Sequence, residues 1–145
     1  MTSETTAADR IRAYYDALRS GEPLSPFFAR DDDIVKYGIT EKLTGYDEIE
    51  AGLRAQTRTT ADWTVESDAL SVTERDDHAW FSDDVQMAWR DVESGREYDF
   101  ESRWSGTLER RAREGDADGV GDEADSTWRF VGMHVSAVPS GPLAE

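Results

Sequence analysis

The sequence predicts an α+β fold, a strongly curved antiparallel sheet wrapped around helices that come first in the chain. Three observations carry this. Apolar residues in the first third recur with a helical period, and from Trp63 onward the period becomes two. Long alternating stretches then follow one another across turn sequences, the order of an antiparallel meander, and helices before strands place the helices on one face of the sheet. Finally, the stretch Trp128–Ser136 packs five large apolar side chains into nine residues. Trp128 and Phe130 fall on one alternation class, and Val131, Met133 and Val135 on the other. A strand apolar on both faces is buried on both, so this one is expected at the centre of the sheet.

Taken in order, Ser3 to Gly21 reads as the first helix. Ile11, Tyr14, Tyr15 and Leu18 make one apolar stripe. Thr6 and Asp9 have capping-box spacing, and Gly21 followed by Pro23 is a stop. Leu24 to Ala29 reads as one more short turn that brings Phe27 and Phe28 onto the core. Asp31-Asp32-Asp33 is a solvated loop and Ile34–Tyr37 a short strand. A second helix is expected from Thr44-Gly45-Tyr46-Asp47 to about Gln56, its early acids suiting the positive helix end, with Thr57–Ala61 as a connection.

The strands follow. Trp63 to Glu74 alternates, with a slip at Ser67-Asp68 that reads as a bulge. His78 to Asp91 places Ala79, Phe81, Asp83, Val85, Met87 and Trp89 on one face. Glu93-Ser94-Gly95 closes a hairpin. Glu97 to Arg110 sets Tyr98, Phe100, Trp104 and Leu108 against a polar face that includes Arg103. Residues 111–126 read as an acidic hairpin loop and 139–145 as a loose tail.

At 145 residues the chain is expected to be one domain, residues 1–145. It has no cysteine, so disulfides and thiolate metal sites are excluded. No apolar run is long enough to span a membrane, and no signal-peptide pattern stands at the N-terminus, so a cytoplasmic location is expected. The 32 acidic against 16 basic residues give a net charge of −16, which repels nucleic acid. Fourteen of the sixteen basic residues are arginine; Lys36 and Lys42 are the only lysines, and asparagine is absent. Such a surface fits a halophile, whose salt screens the self-repulsion.

The stretches Leu18–Gly21, Leu43–Ile49, Arg103–Arg111 and Trp128–Ser136, in that order, resemble the SnoaL-like branch of the nuclear transport factor 2-like (cystatin-like) family. His134-Val135-Ser136 is also similar to the association domain of calcium/calmodulin-dependent protein kinase type II. The resemblance implies a bent sheet around a blind, cone-shaped pocket and a homodimer formed through the outer sheet face. It also implies a range of functions, from isomerases, cyclases and hydrolases to assembly modules, so the fold alone does not give the activity.

Candidate site residues follow from their chemistry. His134 is of the residue type that most often serves as a general base; its structural counterpart is a core or interface histidine. Asp83 shares a strand face with Phe81, Val85 and Trp89, where a carboxyl is positioned for proton transfer. Arg103 stands mid-strand between bulky neighbours, where it is expected either to bind a carboxylate or to pair with an acid. Tyr14, Tyr15, Tyr37, Trp63 and Trp89 can line a pocket with apolar bodies and polar tips, Tyr37 nearest its mouth. Asp116-x-Asp118-x-Val120-Gly121 has part of a calcium-loop pattern but lacks its closing acid, and the two histidines have no zinc spacing, so no metal and no cofactor is expected. The sequence therefore predicts a small-molecule pocket, either a cofactor-independent isomerase, cyclase or hydrolase or a non-catalytic dimeric ligand-binding or assembly module.

Overall fold

A computed structural model describes residues 5–112 and 126–138. The first helix, α1, spans Ala7–Ser20. Thr6 accepts the Asp9 amide and the Asp9 side chain accepts the Thr6 amide, so the capping box forms as expected. Gly21 ends the helix at φ 70°, in the left-handed region where glycine carries no Cβ penalty. A single 3₁₀ turn, Ser25–Phe27, then drives Phe27 and Phe28 inward.

Two short strands come next, β1 (Val35–Tyr37) and β2 (Lys42–Thr44), paired antiparallel around a turn closed by the Gly38 amide on the Glu41 carbonyl. The sequence reading contains no β2. The second helix, α2, runs Tyr46–Thr59, one turn beyond the expected end, so the expected connection at Thr57–Ala61 does not exist. The remaining strands are β3 (Thr60–Ser67), β4 (Ser71–Glu74), β5 (His78–Asp91), β6 (Glu97–Ala112) and β7 (Ser126–Ala137). The bounds of β5 match expectation, while β6 extends past Arg110 and β7 begins at Ser126. The residues between these two strands, the calcium-loop pattern among them, and the tail 139–145 lie outside the described residues.

The sheet order is β2-β1-β7-β6-β5-β3, with β4 also on β5. All pairings are antiparallel except β1 with β7. The fold is thus α+β, a curved, open sheet packed on α1 and α2. Strand β7 is central, as expected, but not for the expected reason. Leu108 pairs with Phe130 and Thr107 with Gly132, which leaves Val131 as an extra residue. This bulge reverses the alternation. Trp128 and Phe130 point into the core before it, and Met133 and Val135 after it, so one face collects all four. The two apolar classes are one buried face in two phases rather than two buried faces.

Strands β3 and β4 meet β5 with two irregularities. One bulge lies at Asp62-Trp63, where β3 carries one more residue than β5 and Asp62 takes φ 59°. The expected slip after Ser67 is also present: between the Ser67–Val85 and Ser71–Ser82 pairs, three residues, 68–70, face two on β5, and the Asp68 amide donates to the Asp84 carbonyl.

The core under the sheet is strongly aromatic. Tyr14 of α1 meets Phe27, Phe28, Trp104 and Phe130 edge-on at 5.3–6.2 Å between centroids, the geometry aromatic quadrupoles prefer. Gly106 is required where β6 crosses this layer, because a Cβ there would lie 2.6 Å from the Gly132 carbonyl oxygen and 2.8 Å from the Phe81 ring. Among the described residues no helix is long and apolar enough to cross a membrane.

Candidate functional site

The inner face of the sheet and the facing side of α2 enclose a cavity of about 520 Å³, within the usual range of ligand pockets. Period two sets its sheet wall: Met87 and Trp89 on β5, Tyr98, Phe100 and Trp104 on β6, and Val135 on β7. Helix α2 presents Gly52, Ala55, Gln56 and Thr59, mostly small side chains that leave room for a guest. At Gly52 a Cβ would fall 2.7 Å from the end of the Leu43 side chain, which packs into the space the glycine leaves.

One wall is a ladder of rings. Trp63 stacks on Trp89 at 4.7 Å and 19°, and Trp89 on Tyr98 at 5.4 Å and 27°, with Phe100 next to both Trp89 and Tyr98. The Trp63 indole N–H donates to the Thr60 hydroxyl at 2.8 Å, which holds the ring in place beside the β3 bulge. Trp63 and Thr60 also border a smaller opening between the C-terminal ends of α1 and α2.

The charged groups of the cavity come from the β1–β2 hairpin. Lys36 is only 5% exposed, yet it carries an ammonium group. Its Nζ donates to the Glu41 carboxylate at 3.4 Å. Burial pulls the Lys36 pKa below the ordinary lysine range, and Glu41 opposes that shift only in part. Tyr14 lines the same cavity; burial, and then the Glu41 charge, hold its hydroxyl in the protonated form well above the ordinary tyrosine pKa. Lys36, Glu41 and Tyr14 therefore share this cavity with a flat apolar wall. Such a group can orient an oxygen atom and exchange a proton with it.

The predicted residues separate into three sets. Trp63 and Trp89 line the cavity as expected. Tyr15 and Asp83 are brought together, but below the cavity rather than in it. Asp83 is 3% exposed and fills the gap between β3 and β4. Its carboxylate accepts the Tyr15 hydroxyl at 2.8 Å, the Ser67 hydroxyl at 2.6 Å and the Ala69 amide at 3.0 Å. These bonds hold the bulge between β3 and β4 against β5, and Tyr15 ties α1 to the same knot. Burial and the bond to Asp83 raise the Tyr15 pKa. Asp83 is thus held by three donors outside the inner cavity, and it also borders a pocket of about 420 Å³ with Arg103 and His134.

His134, Arg103 and Tyr37 are all on the opposite face of the sheet. The Val131 bulge turns Met133 and Val135 inward and so points His134 outward. The Tyr37 ring, 41% exposed, lies 5.3 Å from the His134 ring. Arg103 is exposed and registers against Asp84 and Ser136, so the expected buried mid-strand charge is absent. None of the three lines the inner cavity; His134 and Arg103 instead border, together with Asp83, that second pocket of about 420 Å³. Lys36 and Glu41 were not singled out by the sequence. The available signal was a lysine retained beside Ile34 and Tyr37 in a chain that otherwise uses arginine almost throughout. Among the described residues no group of three His, Asp or Glu side chains is arranged to hold a metal.

Comparison with known proteins agrees with this geometry. A family model described as SnoaL-like domain matches residues 8–115. Similar solved structures include an NTF2-like superfamily protein from Salmonella enterica serovar Typhimurium (TM-score 0.70, 16% identity, covering 92% of this chain and 89% of that one). Another is a provisionally named calcium/calmodulin-dependent protein kinase type II association domain from Thiobacillus denitrificans (0.69, 17%, 96% and 100%). A third is a provisionally named dehydratase of the NTF2-like family from Streptomyces avermitilis (0.72, 14%, 93% and 96%). At these identities the likeness is one of fold. No curated protein matches the sequence.

Proposed function

The chain belongs to the SnoaL-like domain family, and from that premise we propose that its cone binds a flat, largely apolar small molecule carrying one uncharged oxygen, a carbonyl or hydroxyl. The observation that carries this reading is the pairing of the Trp63–Trp89–Tyr98 ladder with the buried Lys36–Glu41 pair across one cavity. The rings select a planar body. Lys36 and Glu41 together add no net charge, so a second buried anion would have no counter-ion, whereas a neutral carbonyl or hydroxyl oxygen can accept from Lys36 or Tyr14, and a hydroxyl can also donate to Glu41. The chemistry such a site offers is cofactor-independent proton transfer, with Glu41 as the base and Lys36 or Tyr14 donating to the oxygen where charge develops. Dehydratase and isomerase names among the structural neighbours support this class.

The test is a titration of tryptophan fluorescence, since Trp63, Trp89 and Trp104 all face the cavity. 2-Naphthol is expected to quench saturably and to bind more tightly than 2-naphthoate. Lys36→Met is expected to weaken 2-naphthol about tenfold or more, the worth of a hydrogen bond to a charged donor. Unsaturable quenching, or equal binding by the variant, overturns the reading.

A second reading is favoured by the outer face, where Tyr37, His134 and Arg103 gather in the open. There we infer a homodimer contact, and sedimentation of the same samples tests it. A dimer that binds no 2-naphthol would support the assembly module instead.

A further inference from the structure

Resting on the reading of the cone as a ligand pocket, we propose that Lys36 is a covalent site: it forms an imine with an aromatic aldehyde or ketone held against the tryptophan ladder. Four observations support it. Lys36 is one of two lysines among sixteen basic residues. At a merely structural buried cation, arginine would serve equally, with more hydrogen bonds and weaker hydration; only lysine can become a nucleophilic amine. Lys36 lines the cavity, and the single described partner of its Nζ is Glu41, at 3.4 Å. That contact is long for a charge-assisted hydrogen bond, so little is lost when the amine turns to a guest. Glu41, whose side chain is 39% exposed, reaches both the amine and solvent. Burial also favours the uncharged amine, the form that attacks.

The step balances with the groups present. The Lys36 ammonium passes a proton to the Glu41 carboxylate, and the freed nitrogen lone pair attacks the carbonyl carbon. As the C–N bond forms, the carbonyl π pair moves onto oxygen, which takes the proton from Glu41. The nitrogen of the resulting carbinolamine gives a proton back to Glu41, which delivers it to the hydroxyl. The C–O bond then breaks and water leaves. The product is a protonated imine beside the Glu41 carboxylate, so one ammonium and one carbonyl have become one iminium and one water.

Accessibility and reactivity point to different lysines, which makes the test sharp. Lys42 sits one pair along the same hairpin and is exposed, with its Nζ over the Tyr37 ring on the outer face. The full chain is incubated with 2-naphthaldehyde and cyanoborohydride at neutral pH, and the reduced adduct is mapped by peptide mass spectrometry. Labelling of Lys36 is expected to exceed that of Lys42 at least tenfold. It should be suppressed by excess 2-naphthylmethanol, which fits the cavity but forms no imine, and slowed by Glu41→Gln. Labelling of Lys42 first, or of both equally, overturns the proposal. If 2-naphthylmethanol binds by fluorescence while Lys36 stays unlabelled, the imine fails and the pocket reading stands. If neither compound binds, both fail.

Discussion

Replacing Lys36 by methionine separates what this side chain does for the fold from what it does for the pocket. Its Nζ has three N–H donors and one described acceptor, Glu41 at 3.4 Å, while the side chain is nearly sealed from solvent. The desolvation cost of the ammonium therefore exceeds what one long contact returns. Methionine has similar length and no charge, and Glu41 keeps its access to water. Exchanging a buried ion pair for apolar volume commonly stabilises by about 1–4 kcal/mol. Because only one partner of a half-exposed pair is removed, about 1–2 kcal/mol is expected here. For a domain of this size that is a rise of about 4 °C in Tm per kcal/mol.

The pH dependence supplies the sign. Burial lowers the folded-state pKa of Lys36 below its unfolded value, so in the window between the two the unfolded chain holds more protons and stability climbs with pH. Below that window the wild type bears the full cost. The advantage of Lys36→Met should accordingly be largest below that window and fade as pH approaches about 10.4, the unfolded lysine value. Thermal melts of both proteins across this range give the difference directly, and the tyrosines cancel because both chains share them. The chain carries −16 already, and losing a cation adds repulsion. Melts in about 1 M salt, where the Debye length is about 3 Å, remove that contribution. A variant that melts lower at neutral pH in high salt, or a difference that does not change with pH, refutes the reasoning.

Two further outcomes follow from the sheet. Asp83→Asn turns an N–H group toward one of three donors, from Tyr15, Ser67 and Ala69, and should lower stability by about 1–3 kcal/mol in urea unfolding while leaving 2-naphthol binding unchanged; a binding defect without a stability defect would return Asp83 to the pocket. Deleting Val131 removes the bulge and would turn Met133 and Val135 outward and His134 inward. At about 1.5–3 kcal/mol for each buried side chain, the loss of about 3–6 kcal/mol is a large share of a usual total of about 5–15 kcal/mol, whereas Val131→Ala should be mild; a deletion as stable as the wild type would show that the bulge does not set the phase of β7.

Much of the framework was legible in the residues alone. Local chemistry is enough to specify the α1 cap at Thr6 and Asp9, its stop at Gly21, the bounds of β5 and the hairpin at Glu93–Gly95, because each depends on neighbours within a few positions. Composition and order likewise carried the α+β class. The site was far less legible. Strand faces have a period of two, so a single extra residue exchanges inside for outside. The bulge at Val131 is visible only once β6 and β7 are paired, and it sends His134 outward. Arg103 is turned out by the same sheet face, and Tyr37 by the pairing of β1 with β7. That parallel pairing joins segments almost a hundred residues apart and turns Lys36 into the cone. Asp83 shows the same limit: its position on an apolar face was readable, but the donors from Tyr15, Ser67 and Ala69 that occupy its oxygens were not. Sequence determined which segments are strands and which residues bear chemistry, since those are local properties. Only the tertiary structure decided which of them share a cavity, since that depends on long-range register.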